Sequence, residues 1–277
     1  MNGSCTYFEL PGVSSHMLID MQRSPLHCWA RYLDPNRASD TPTAAQQLGT
    51  LVHLLTLTPE AFSDECVLAP TINRRTQAGK ADYAALASEG KQVISMQDYQ
   101  AAMRMRKAIY DHPIARGLFQ NGEPETVITV SRDTELLPLK GRLDWLGQAP
   151  GIVELKTASD ARKDYFLRDV YRYHYHLSAA YYRMLVSKHT GTPAPDIPHT
   201  FVVVEPKPPY AVAVYHTAET LLAEGRQLWE TQLARFDDCW MMKTWPGYPV
   251  DVLERVGRPG GKSGSLRFEI EEGELEL

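Results

Sequence analysis

Apolar residues recur at helical spacing in several stretches of the chain. From Thr43 to Leu57, Ala44, Leu48, Leu51 and Leu55 keep that spacing and Pro59 ends the run, so a helix is expected there. Ser14 and Ser15 offer N-caps to a small helical element over residues 12–35, and Ser24-Pro25 marks a second start within it. Helices are also expected over 80–89, over 95–120 and over about Ala218–Met242. A long helix is expected from about Asp160 to Lys188, stopped by Gly191 and Pro193. Alternation takes over in Glu125–Ser131, where Val127 and Thr129 alternate with Ile128 and Val130, the period of a strand. Two further apolar-rich runs, Gly141–Leu146 and Gly151–Thr157, flank a Gly- and Pro-containing turn and read as a β-hairpin. Phe201–Glu205 and Tyr210–His216 read as a second strand pair. Helices, three strands, a long helix, two strands and a helix imply an α/β fold, a mixed sheet flanked by helices.

The hairpin carries the chemistry. If it is symmetric about Ala149, Asp144 faces Glu154 and Arg142 faces Lys156, and side chains two apart share a face. Opposed Cβ atoms lie roughly 4.5–5.5 Å apart, where like charges destabilise a sheet unless compensated. A bound divalent cation is one compensation, since hard cations take carboxylate oxygens. The other reading is an ordinary hairpin with a solvated, charged face and a cross-strand ion pair between Asp144 and Lys156. Glu-x-Lys alone is unspecific: it occurs at Glu89, Glu154 and Glu205, and only the middle copy lies in a strand-like run with an aspartate upstream. On the helix ending at Leu57, Gly49 lies one turn before His53. A mid-helix glycine costs about 1 kcal/mol relative to alanine, which points to close approach of another backbone or a ligand.

Composition is that of a folded globular chain, 43% hydrophobic and 23% charged over 277 residues. No apolar run approaches the roughly 20 residues needed to span a bilayer, and the N-terminus has no basic segment followed by an apolar stretch, so a cytoplasmic protein without membrane partners is expected. Cys5, Cys28, Cys66 and Cys239 are too scattered for a zinc ribbon, and inert thiols are expected. The net charge of −5 equals the five glutamates of Glu269–Leu277, so the remainder sums to zero. Residues 257–265 read as a flexible linker and the end as an acidic tail, giving a domain over 1–256 and a linker and tail over 257–277. Arg74, Arg75 and Lys80 in a polar loop over 70–80 are candidate DNA-backbone contacts, as is Arg142. The aromatic run from Tyr165 to Tyr182 is read mainly as helix packing, with one of its rings a candidate for base stacking. His174 and His176, two apart on a helix, point too far apart to share a metal.

Several residue sets coincide in order: Leu48–His53, Gly122–Glu125, Gly141–Trp145, Ile152–Thr157, Tyr173–Tyr182, Val203–Glu205 with Pro209-Tyr210, and Trp245–Tyr248. In these the chain resembles the RecE-type exonucleases, the exonuclease VIII group of the PD-(D/E)XK nuclease superfamily, over about residues 12–250. The resemblance implies that Asp144, Glu154 and the carbonyl of Leu155 bind Mg²⁺ or Mn²⁺, as two ions. It implies that Lys156 positions and helps deprotonate the attacking water. His53 would bind the second metal or a phosphate, with Glu125, Ser178 and Tyr182 in support. The family usually has Gln where this chain has Ser178, a shorter side chain without a carboxamide. The implied activity is 5′-to-3′ digestion of linear double-stranded DNA by a ring-like homo-oligomer. The 3′ single strand left behind would pass to a RecT-like annealing partner. An endonuclease or single-strand nuclease of the same superfamily, or a non-catalytic DNA-binding or assembly module, are the rival readings.

Overall fold

The computed structural model describes residues 7–37, 42–69, 91–149 and 151–249, parts of 76–86, and two short strands beyond. Its N-terminal helices start where their caps predict. In α1 (Ser15–Arg23) the Ser14 hydroxyl accepts from the Met17 amide, and in α2 (Pro25–Tyr32) Ser24 accepts from His27 with Pro25 in the first turn. Thr43 and Gln46 close a reciprocal capping box on α3 (Ala44–Leu57). A short α4 (Phe62–Glu65) leads into β1 (Cys66–Ala69), which pairs in parallel with β2 (Gln92–Ser95). This small sheet has no counterpart in the sequence reading; its strands are four residues each, too short for a periodic signal.

The stretch 95–120 is two helices, α5 (Met96–Asp111) and α6 (Pro113–Leu118). Pro113 lacks an N–H and biases His112 to an extended backbone, so His112 ends one helix and its ring nitrogen caps the next. Five strands follow: β3 (Gly122–Val130), β4 (Leu139–Gly147), β5 (Ile152–Thr157), β6 (His199–Val204) and β7 (Val212–His216). They lie in the order β3-β4-β5-β6-β7, antiparallel except for the parallel β5–β6 pair. A parallel pair needs a crossover. Here it is α7 (Lys163–Arg172) and α8 (Tyr175–Thr190), where the sequence predicts one helix. The break is at His174, whose backbone is left-handed with φ 54°. The last long helix is α9 (Glu219–Met242), followed by β8 (Val252–Glu254) and β9 (Ser265–Arg267). Ser265, placed by its composition in the linker, therefore begins a strand; all of 257–264 and of 268–277 lie outside the described residues, as do most of the loop 70–80 and most of the helix expected over 80–89.

Alternation along β5 and β6 builds two cores. Ile152, Phe201 and Val203 face α1, α8 and α9, while Val153, Leu155, Val202 and Val204 face α3 and α5. Small residues set the spacing on the first face. A Cβ at Gly141 would meet Leu185 and Tyr182 of α8, and one at Gly225 of α9 would overlap the carbonyl oxygen of His176. Gly225→Ala should therefore destabilise by at least about 1–3 kcal/mol, the usual cost of overpacking. Gly117→Ala in α6, where an added Cβ meets nothing within 4 Å, should stabilise by about 0.5–1 kcal/mol. Urea unfolding of both variants checks the pair, and equal effects would contradict this packing.

Candidate functional site

Where β4 and β5 are paired, the register is the expected one: Trp145 faces Val153 and Leu146 faces Ile152. Beyond that the ladder stops. The Leu155 amide donates to Asp144 Oδ2 at 2.8 Å, so a side chain replaces the next ladder partner, while β5 stays paired with β6 along its whole length. The expectation that four polar groups line one face is corrected here. Leu139, Gly141 and Leu143 face the α8 side, whereas Trp145 packs in the other core, so the facing of β4 switches at Asp144. Across from it in β3 is Glu125, skipped by the pairing between Pro124↔Trp145 and Thr126↔Leu143. Glu125 has φ 48°. A left-handed backbone at a non-glycine costs of order 1–3 kcal/mol and clusters at functional sites.

This kink aims two carboxylates at one point. Ligand atoms of His53, Glu125 and Asp144 all lie within 4.8 Å of one another, and His53 Nδ1 is 3.6 Å from Asp144 Oδ1. His53 comes from α3, which approaches the sheet closely at Gly49, where a Cβ would lie 3.4 Å from the Thr157 hydroxyl. One imidazole and two carboxylates suit a divalent cation such as Mn²⁺ or Mg²⁺, and three protein groups leave positions for water or phosphate oxygens. The residues present thus fit a metal.

Glu154 lies apart from this cluster. It is only 2% exposed, and both oxygens are held: Oε1 by His199 Nε2 at 3.0 Å and Oε2 by Lys156 Nζ at 2.5 Å. His199, fully buried at the start of β6, is fixed in turn by the Thr217 hydroxyl at 2.8 Å. His199 and Thr217 are absent from the sequence reading. The one signal was a histidine opening the apolar run Phe201–Val204. Lys156 also lies 5.1 Å from the centre of the Tyr175 ring.

Electrostatics separate the roles. Burial opposes charge on Asp144, but His53, Lys156 and the Leu155 amide hold it well below the usual carboxylate range. Burial likewise opposes charge on Glu154, and the Lys156 ammonium with the His199 hydrogen bond lowers it. Lys156 is raised, burial being outweighed by Glu154 and Asp144. Two carboxylates this close favour its charged, ammonium form. Burial works to lower His53, and Asp144 raises it above the ordinary histidine value. Burial raises Glu125 despite Arg142.

The remaining candidates are placed as follows. Arg142 pairs with Glu125 at 2.9 Å and lies against the rings of Tyr7 and Phe8. Leu155 reaches the site through its amide, its side chain being in the core. Ser178 and Tyr182 are buried on α8, and the Ser15 hydroxyl donates to the Tyr182 oxygen at 3.4 Å. Arg74, Arg75 and Lys80 lie outside the described residues. Cys28, Cys66 and Cys239 are free and buried. Among the described residues no helix is long and apolar enough to cross a membrane.

A five-stranded mixed sheet between helices, with an acidic cluster and a lysine at the splayed end of β4 and β5, has the architecture of the PD-(D/E)XK superfamily. The chain belongs to the family described as PDDEXK-like domain of unknown function (DUF3799), whose model matches residues 14–253. No curated protein matches it. Its fold is similar to that of a Eubacterium rectale protein provisionally named an exonuclease, with a TM-score of 0.62 and 14% identity over 86% of this chain and 85% of that one. The structure of SSO0001, 14% identical over 82% of this chain and 90% of that one, has a TM-score of 0.29 and adds nothing to the argument.

Two pH effects follow. Glu154 is depressed when folded, so its contribution is complete above its unfolded value and fades as pH falls through the folded one. Lys156→Met should cost about 3 kcal/mol near pH 7 by leaving a buried carboxylate short of its partner. The deficit should narrow towards pH 4, and urea unfolding that shows the same deficit at both pH values would contradict the pairing. His53 must lose its proton to ligate. Mn²⁺ affinity by calorimetry should therefore climb with pH above about 6.5, and His53→Ala should flatten that rise.

Proposed function

We propose that the protein is a metal-dependent exodeoxyribonuclease acting on linear double-stranded DNA. The convergence of His53, Glu125 and Asp144 beside the buried Glu154–Lys156 pair carries this reading. In it, His53, Glu125 and Asp144 hold a divalent cation, Mg²⁺ or Mn²⁺. Bound there, such a cation would lower the pKa of a water and neutralise charge on a phosphoryl group. Lys156 keeps its proton and donates it as a hydrogen bond, either to the attacking water or to a phosphate oxygen, stabilising charge that builds in the transition state. Glu154 anchors that ammonium, and His199 with Thr217 fixes Glu154, so each is a positioning group. A second ion on Glu154 would require it to release His199 or Lys156. Ser178 and Tyr182 support the site from α8, and Arg142 restrains Glu125 and lies where a DNA backbone could be met.

The finer reading follows the RecE-type resemblance: 5′-to-3′ digestion that leaves a 3′ single strand for a RecT-like annealing partner. It includes a ring-like homo-oligomer, for which the near-neutral body is the physical motive. Affinity that rests on few phosphate contacts falls steeply with salt, and encirclement keeps the enzyme on its substrate without a strongly basic surface.

Asp144→Asn should lower DNA hydrolysis by at least about a hundredfold, and chelation of the metal should abolish it. Digestion unchanged in EDTA would rule out the reading. Covalently closed duplex should survive conditions that consume linear duplex, and light scattering should give a mass several times 31.2 kDa. A monomer that cuts closed circles would instead be an endonuclease.

A further inference from the structure

The break at His174 joins the reactive lysine to an exposed face of α7. Lys156 lies against Tyr175, whose ring stacks on that of Tyr173 at 5.6 Å with 30° between planes. Tyr173 is 46% exposed and carries the Arg172 guanidinium 5.3 Å from its centre. Tyr165, Arg168 and Arg172 follow one another at i, i+3 and i+7, a single helix stripe. Tyr165 is 43% exposed, with Arg162 and Arg168 at 4.3 and 5.0 Å from its centre.

The stripe therefore sets two cations between two half-exposed tyrosine rings and ends at Tyr175 beside Lys156. Acidic groups temper it. Asp160 holds Arg162, Asp164 and Asp169 lie on the same helix, and Tyr171 beside the stripe donates to Glu224. Among the described residues neither Arg168 nor Arg172 is in an ion pair; each rests on a tyrosine ring. Large rings left 43% and 46% exposed, Tyr165 and Tyr173, are costly as packing and useful as stacking platforms. Cations at intervals suit phosphates, and flat faces suit unpaired bases. A duplex, whose bases are already stacked inside, offers nothing to the rings.

We propose that the exposed face of α7, from Tyr165 through Arg168 and Arg172 to Tyr173, is a single-strand DNA track that leads to Lys156 past Tyr175. This rests on the nuclease reading and adds to it: the strand brought to the site is unpaired before it arrives. Bases stack on Tyr165 and Tyr173 while phosphates meet Arg168 and Arg172.

The test is binding of a fluorescent oligodeoxythymidylate to the full chain in EDTA, where no hydrolysis competes. Tyr165→Ala and Tyr173→Ala should each weaken binding roughly tenfold, and Phe at either position should restore it. Replacing Arg168 and Arg172 together by Ala should flatten the slope of log affinity against log salt by about 1.4. Binding of a blunt duplex should change less than about twofold. Alanine variants that keep the wild-type circular dichroism and bind the single strand like wild type would overturn the track. So would an equal loss for duplex, which would make the face a duplex surface. Loss of single-strand binding in the variants, alongside a wild type that cuts no DNA with any metal, would keep the track and discard the nuclease reading. Normal hydrolysis with unchanged binding would discard the track alone.

Discussion

Glu154 is a carboxylate with 2% of its surface exposed in the middle strand of the sheet, and its charge must be satisfied there. An isolated buried carboxylate would take up a proton instead. Here one oxygen meets the Lys156 ammonium and the other His199, itself buttressed by Thr217 at the entry to α9. Three elements, β5, β6 and the β7–α9 junction, are thereby tied by polar contacts through the first core. The same contacts hold Lys156 charged and aimed. Such a pair contributes little net stability compared with apolar packing, yet losing one partner is expensive. That asymmetry makes it a positioning device more than a stabilising one.

The metal-type cluster depends on a different device, local departure from sheet geometry. A regular β3–β4–β5 ladder would pair every backbone group and would leave no reason for Asp144 to reach the Leu155 amide. Instead the ladder opens after Val153, Glu125 takes a left-handed backbone, and β4 changes facing at Asp144. β3 is an edge strand, where Pro124 and a strained neighbour are tolerated because one side of the ladder is free. α3 then supplies His53 across the opening, with Gly49 one turn before it lying beside the Thr157 hydroxyl at the end of β5.

The crossover between β5 and β6 serves both fold and site. Gly225 lets α9 lie against the first turn of α8, and Gly141 lets α8 lie on β4. With α8 pressed in from both sides, the chain leaving α7 turns through His174 and brings Tyr175 against Lys156. The solvent-facing side of α7 is thus continuous with the buried pair, a continuity that a single straight helix would not provide.

Much of this was legible in the chain itself. The caps at Ser14, Ser24 and Thr43, the strand alternation around Ile128 and the hairpin centred on Ala149 are local signals, set by backbone propensity and a period of two or 3.6. Asp144, Glu154 and Lys156 stand out by their placement on the hairpin, and His53 through the RecE-type resemblance. Tertiary structure decided the rest. Which carboxylates converge depends on where the ladder splays, and that is seen only in the skipped pairing at Glu125 and the Leu155 amide taken by the Asp144 side chain. His199 and Thr217 carry no local mark, since a buried polar side chain shows itself only through the partner that satisfies it. The break at Pro113 was legible, since proline ends a helix locally, whereas the break at His174 had no residue-level cue strong enough against a continuing apolar period. The charge state of Lys156 depends on the two carboxylates folded against it, so it belongs to the three-dimensional arrangement and not to the Glu-Leu-Lys triplet.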